Sequence, residues 1–145
     1  MDEKDEMILD ELRKDGRQST SRISKKLKIP RVTVHDRMQK MVKEGVISRI
    51  VAVPDYKKIG RPLTAFILIR YEPGAVKQAE VARKVAALPG VTEVYILAGE
   101  WDLVAKVRGE SLEGIGKMVV DRLREVGGIA RSVTMPAFVT VKEEP

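Results

Sequence analysis

The chain has 145 residues, 27 of them basic and 21 acidic, for a formal net charge of +6, with no cysteine and a single histidine, His35. That length fits one ordinary domain or two small ones. The missing cysteines exclude disulfides, thiolate-bound metal and thiol catalysis, and one histidine cannot build a histidine metal site or a catalytic triad.

No metal and no cofactor is therefore expected. The start, Met1-Asp2-Glu3-Lys4-Asp5-Glu6, is too acidic for a signal peptide, and the longest apolar run, Ala65 to Ile69, is too short to cross a bilayer. A cytoplasmic protein with no membrane contact is expected. The sequence has no asparagine and only Gln18, Gln39 and Gln78 as glutamines, while 33% of its residues are charged, a composition that points to a thermophilic source.

In chain order, Met7, Ile8, Leu9 and Leu12 form an apolar stripe at helical spacing, with Asp2 and Asp5 available as caps and Gly16 as the stop. A second short helix carries Ile23 and Leu27 on one face, with Ser19 and Ser21 as candidate caps. Lys28-Ile29 make a tight connection, and Pro30 suits the first turn of a third helix, where its missing N–H is no loss. That helix turns Val34, Met38, Met41 and Val42 inward, and Gly45 ends it. Three short helices so connected read as a helix-turn-helix, with Val46 to Val53 as its β-rich wing or the strand leading out.

Charge supports that reading. Residues 16–43 hold nine basic side chains and one acidic one, Asp36, a field that a polyanion would feel. Arg31 and Thr33, at the start of the third helix, are candidates for contact with base edges, and Arg22, Lys25, Arg37 and Lys40 for contact with phosphates. The partner is expected to be double-stranded DNA. Asp36 either accepts from cytosine or pairs with Arg37 or Lys40, and His35 is read as a partly buried packing residue.

Residues 54–62 form a polar linker bounded by prolines. Beyond it the pattern gives a strand over Leu63–Tyr71, a helix over Ala75–Leu88, strands over Val91–Ala98 and Trp101–Arg108 joined at Gly99-Glu100, a helix over Leu112–Val126 and a last strand over Ile129–Val141. The order βαββαβ is the ferredoxin-like arrangement, so the whole chain is expected to be α+β, with a winged helix-turn-helix over 1–53, a linker over 54–62 and a ferredoxin-like domain over 63–145. Pro136 fits an edge strand. Phe66, Ile67, Leu68 and Ile69, Ile96 and Leu97, and Leu103 and Val104 make the strands apolar on both faces, and helices can cover only one of them. The open face should therefore bring two copies together as a homodimer.

Four separated stretches resemble the Lrp/AsnC, or feast/famine, family of regulators. They are Asp15-Gly16-Arg17 before the second helix, the spacing from Arg37 through Met41 to Gly45-Val46-Ile47, the hairpin Gly99-Glu100-Trp101-Asp102-Leu103, and the run Gly128-Ile129-Ala130-Arg131-Ser132-Val133-Thr134. The resemblance spans the chain and implies a DNA-binding N-terminal domain, a C-terminal domain that senses a small effector, and dimers that assemble further to tetramers or octamers. It also implies an effector site at Gly99, Glu100, Trp101, Asp102, Ser132 and Thr134. There the hairpin N–H groups could hold the carboxylate of an amino acid, Asp102 its ammonium, and the two hydroxyls further bonds. Pro30 stands where the family has a serine cap, Trp101 replaces tyrosine or phenylalanine, and Ser132 replaces threonine. The alternative is an enzyme of the same architecture, similar to decarboxylases of haem biosynthesis.

Overall fold

The computed structural model of the chain describes residues 1–74 and 77–143. It comprises two units, Met1–Val53 and Pro54–Pro145, each with its own hydrophobic core.

In the first unit, α1 spans Glu3–Lys14, α2 Thr20–Leu27 and α3 Arg31–Lys43. Asp2 caps α1 reciprocally: its Oδ1 accepts from the Asp5 N–H at 3.1 Å, and Asp5 Oδ2 accepts from the Asp2 N–H at 2.9 Å. The helix ends on Asp15, one residue before the expected stop. Gly16 is needed there for space instead, because a Cβ would lie 3.0 Å from Ile50 Cγ2. Of the two serines considered, Ser19 caps α2, accepting from the Arg22 N–H. The α2–α3 turn is held by the Ser24 hydroxyl donating to the Ile29 carbonyl at 2.6 Å. Pro30 is the residue before the first turn of α3 rather than within it, and α3 has no side-chain cap.

Ile8, Leu12, Ile23, Ile29, Val34, Met41 and Ile47 form the core of this unit. Two positions expected inside lie outside: Met7 is 39% and Val42 52% exposed. Each follows or precedes a buried residue by one position, which turns it about 100° away from the buried line. The expected strand over Val46–Val53 does not form. Only Ile47 enters the core, and no second strand in this unit offers Ile50, Val51 or Val53 a ladder.

The second unit runs β1 Leu63–Tyr71, α4 Gln78–Ala86, β2 Val91–Ile96, β3 Leu103–Gly109, α5 Leu112–Asp121 and β4 Ile129–Pro136, with a 3-10 turn at Leu123–Glu125. The sheet order is β2-β3-β1-β4, antiparallel throughout, which is the ferredoxin-like arrangement. Several elements are shorter than expected. β2 stops at Ile96, β3 begins at Leu103, α5 gives way to the 3-10 turn before Val126, and α4 ends at Ala86; its expected first residues, Ala75 and Val76, lie outside the described residues. β4 ends at Pro136, opposite Ala65 on the sheet edge; the Ala137 N–H still donates to the Thr64 carbonyl at 2.9 Å, so the proline falls at an outward-facing position and costs no ladder bond. Gly90 lets the α4–β2 connection pass close to β3, since a Cβ there would meet the Arg108 carbonyl oxygen at 2.5 Å.

Strand alternation sorts the side chains. Ala65, Ile67, Ile69, Leu103, Ala105 and Val107 pack under the helices with Val81, Val85, Ile115 and Leu123. The open face carries Phe66, Leu68 and Arg70 from β1, Val104, Lys106 and Arg108 from β3, and Arg131, Val133 and Met135 from β4. Lys106 pairs with Glu93 at 2.9 Å and with Glu143 of the tail. Buried Arg108 bonds Thr64 Oγ1 at 2.5 Å, pairs with Glu143 and stacks over the Tyr56 ring. Residues 54–62, expected as a linker, thus supply a ring that packs on this sheet.

Candidate functional site

The first constellation is the start of α3. The tight turn held by Ser24 sets α3 against α2, and burial of Val34 and Met41 fixes its rotation. Arg31 is exposed and Thr33 half-buried at the first turn, while Arg22 and Lys25 are exposed on α2. Thr33, Arg37 and Lys40 line one shallow concavity together with Asp2 and Asp36.

Arg37 is the least free of these cations. Its Nη1 donates to both carboxylate oxygens of Asp2 and to Asp5 Oδ1, each at 2.7 Å, and its side chain is 26% exposed. The guanidinium holds the Asp2 carboxyl below the ordinary aspartate range; Asp5 is lowered too, by the Asp2 backbone N–H first and Arg37 second. The expected pairing of Asp36 with Arg37 or Lys40 is absent, because Arg37 takes these two acids and Lys40 sits 3.9 Å from Glu44. Exposed pairs such as Lys40–Glu44, and Arg22–Asp15 at 4.0 Å, are too weak to withhold a cation from a phosphate. His35, expected to pack, is exposed. Sequence reasoning passed over Val32, which is 70% exposed between Arg31 and Thr33. An apolar tip at that place suits a thymine methyl, and its signal was the helical period that puts Val34 inside and Val32 outside.

The second constellation is the β2–β3 hairpin corner. Asp102 is tied into the sheet by three bonds: its N–H donates to the Ile69 carbonyl at 3.1 Å, its carbonyl accepts from Leu97, and its Oδ2 accepts from the Tyr71 N–H at 2.9 Å. The carboxylate thereby closes the irregularity between Arg70 and Tyr71 in the β1–β4 pairing. Burial, and then the Asp102 charge, raise the Tyr71 hydroxyl above its ordinary range. The Glu100 carbonyl accepts from Arg70 Nε at 2.8 Å. Trp101 lies under two guanidiniums, with Arg70 Cζ 5.9 Å and Arg131 Cζ 5.5 Å from its ring centroid. Around Gly99 nothing would meet a Cβ within 4 Å, so the tip is open.

The register separates the expected effector residues. Glu100, Trp101 and Asp102 share the corner, whereas Ser132 and Thr134 pair with Ile69 and Ile67 and so lie on the helix-covered side of β4. Arg70, and Arg131 from the run that carries the family resemblance, were not among the expected effector residues. Their signal was the period of two that places both on the open face. Among the described residues no group of His, Cys, Asp or Glu side chains could hold a metal, and no helix is long and apolar enough to cross a membrane.

Comparison with known proteins settles what these two constellations belong to. Residues 1–48 match a winged helix-turn-helix DNA-binding model, and residues 64–145 match the Lrp/AsnC ligand binding domain. The chain belongs to the Lrp/AsnC family. It is a transcriptional regulator with a DNA-binding helix-turn-helix and a ligand-binding domain of that family, not an enzyme. The decarboxylase alternative is thereby set aside. This Lrp/AsnC protein is 50% identical over 145 residues to an uncharacterized HTH-type transcriptional regulator of Pyrococcus horikoshii, covering 99% of this chain and 97% of the relative. It is 33% identical to the regulator FL11 of the same organism, covering 99% and 93%. Its fold is that of the Neisseria meningitidis regulator NMB0573 solved with L-Met, with a TM-score of 0.92 at 21% identity over 99% of this chain and 94% of that one. Escherichia coli AsnC gives 0.88 at 22% identity, over 100% and 97%.

Proposed function

We propose that the protein is a sequence-specific, effector-responsive regulator that grips duplex DNA through α3 as a homodimer or a larger ring, tetramer or octamer. The observation that carries this is the one-sided charge of residues 16–43, mounted on the two helices of a helix-turn-helix. Arg31 and Thr33 read base edges, and Arg22, Lys25, Arg37 and Lys40 hold phosphates. Phe66, Leu68, Val104, Val133 and Met135 supply an apolar open face for the partner copy, which would set two α3 helices roughly 34 Å apart, one turn of DNA.

The effector is a small molecule of the amino-acid class, met at the hairpin corner of Gly99, Glu100, Trp101 and Asp102; Ser132 and Thr134, on the helix-covered side of β4, stand apart from it. The L-Met complex of the Neisseria regulator supports that class. Sensing between dimers would change assembly or DNA affinity without touching α3. The work is done in the cytoplasm, and the Pyrococcus relatives support a thermophilic source.

Selection of bound duplexes from a random pool tests the first half. An enriched motif with two halves about one helical turn apart is expected, and no enrichment would overturn sequence-specific binding. Calorimetry with all twenty amino acids tests the second. No heat and no change in assembly size for any of them would remove the sensing role and leave DNA binding intact.

A further inference from the structure

Arg70 and Arg131 stand directly opposite each other on β1 and β4, both exposed and both against Trp101. Like charges at directly paired positions destabilise an antiparallel sheet. The other cations of the open face are neutralised within the unit, Lys106 by Glu93 and Glu143, and Arg108 by Glu143. Arg70 and Arg131 are not paired with any carboxylate among the described residues. Arg70 Nε takes the backbone carbonyl of Glu100, not its carboxylate, and the Asp102 carboxylate is already engaged by the Tyr71 N–H. The corner therefore holds two positive charges, an aromatic wall and open space at Gly99.

We infer that Arg70 and Arg131 form a binding site for a small dicarboxylate, an acidic amino acid or the corresponding 2-oxo acid, with Trp101 as its wall. The inference rests on the reading of this unit as effector-binding and names the class of effector. A guanidinium presents a planar fork of donors that matches a carboxylate in bidentate fashion, so two forks suit two carboxylates. A neutral amino acid brings one carboxylate and an ammonium. That single carboxylate leaves one guanidinium uncompensated, whereas an acidic amino acid or a 2-oxo diacid brings one for each. A dicarboxylate relieves the cross-strand repulsion and binds in doing so.

Trp101 is the sole tryptophan, so its fluorescence in the full-length protein reports on this corner directly. Glutamate, 2-oxoglutarate, glutamine, methionine, lysine and inorganic phosphate are titrated in turn, with thermal melting of each variant as the check on folding. A saturable change with glutamate or 2-oxoglutarate, at least about tenfold tighter than with glutamine or phosphate, is expected. Arg70→Gln and Arg131→Gln should each weaken it by about tenfold or more, with partial recovery in the Lys variants. Both Gln variants should melt no lower than the parent, since each removes a like-charge pair.

Glutamine or methionine binding as tightly as glutamate would overturn the dicarboxylate assignment while leaving an effector site standing. Phosphate binding equally well would replace it with a general anion patch. Parent-like binding in both Gln variants would overturn the role of the two arginines, and no saturable response to glutamate or 2-oxoglutarate would overturn the proposal, while the effector reading falls only if calorimetry with all twenty amino acids is also silent.

Discussion

The two units stabilise themselves by different means. Among the described residues, the first buries seven apolar side chains in its core and the second eleven. Small units recover less from burial, and the first adds polar ties between helices that its core alone would not supply. Arg37 binds α3 to the cap of α1 through Asp2 and Asp5, and Glu11 receives Lys14 at 2.8 Å and Lys26 at 2.6 Å, joining α1 to α2. Gln18 donates to the Glu11 carbonyl at 2.6 Å and closes the same corner. In the second unit the ion pairs that bridge separate elements, among the described residues, lie on the open face, where Lys106 and Arg108 meet Glu93 and Glu143. In the first unit Asp2, Asp5 and Glu11 hold helices together; in the second Lys106 and Arg108 are neutralised, and Arg70 and Arg131 are left exposed beside Trp101.

The largest effect that can break this comparison is truncation in the smaller core. Ile23→Ala should destabilise the first unit by about 2–5 kcal/mol, enough to lower its melting transition sharply and abolish DNA binding. Calorimetry should show the transition of the second unit unmoved; a shift of both together would contradict the picture of two separate cores.

Next come the ties themselves. Arg37→Ala should lower the melting of the first unit and weaken DNA binding at once, reducing the salt slope by about 1. Asp2→Asn keeps an N-cap but removes one claim on the guanidinium, so DNA binding should tighten at low salt. Equal weakening by both changes would show that Arg37 only holds α1 and does not reach phosphate.

A smaller effect concerns acid. Hydrogen bonds from Lys14, then Lys26, hold the Glu11 carboxyl at about 2 against an ordinary 4.5. A carboxyl lowered by folding stabilises the folded state above its unfolded value. That contribution is complete above about pH 4.5 and is lost as pH falls through about 2. Melting of the first unit should fall less steeply over that window in Glu11→Gln than in the parent. Parallel pH profiles would show that Glu11 does not tie α1 to α2.

The helices of the first unit and the order of the second were legible because period and turn chemistry act locally. Ser19, Gly45 and the alternation in β1 each declare their role without a partner. What was not legible depended on distant partners. The strand over Val46–Val53 had the right residues and no strand to pair with. Arg37 had the right helix position, yet 35 residues back an N-cap acid claims it. Asp102 read as a free carboxylate because the Tyr71 N–H that takes it lies 31 residues away. Ser132 and Thr134 read as neighbours of Trp101 until the register with Ile69 and Ile67 put them on the other side of β4.

The central claim is that the first turn of α3 reads DNA sequence while its neighbours only hold the backbone. It is tested most directly by comparing Arg31→Ala with Lys40→Ala on selected and random duplexes across a salt series. Arg31→Ala should cost roughly 1–3 kcal/mol on the selected duplex, concentrated at particular base pairs, whereas Lys40→Ala should weaken binding to all duplexes alike and lower the salt slope by about 1. Parent-like binding of both variants to both kinds of DNA would contradict the placement of α3 on the duplex.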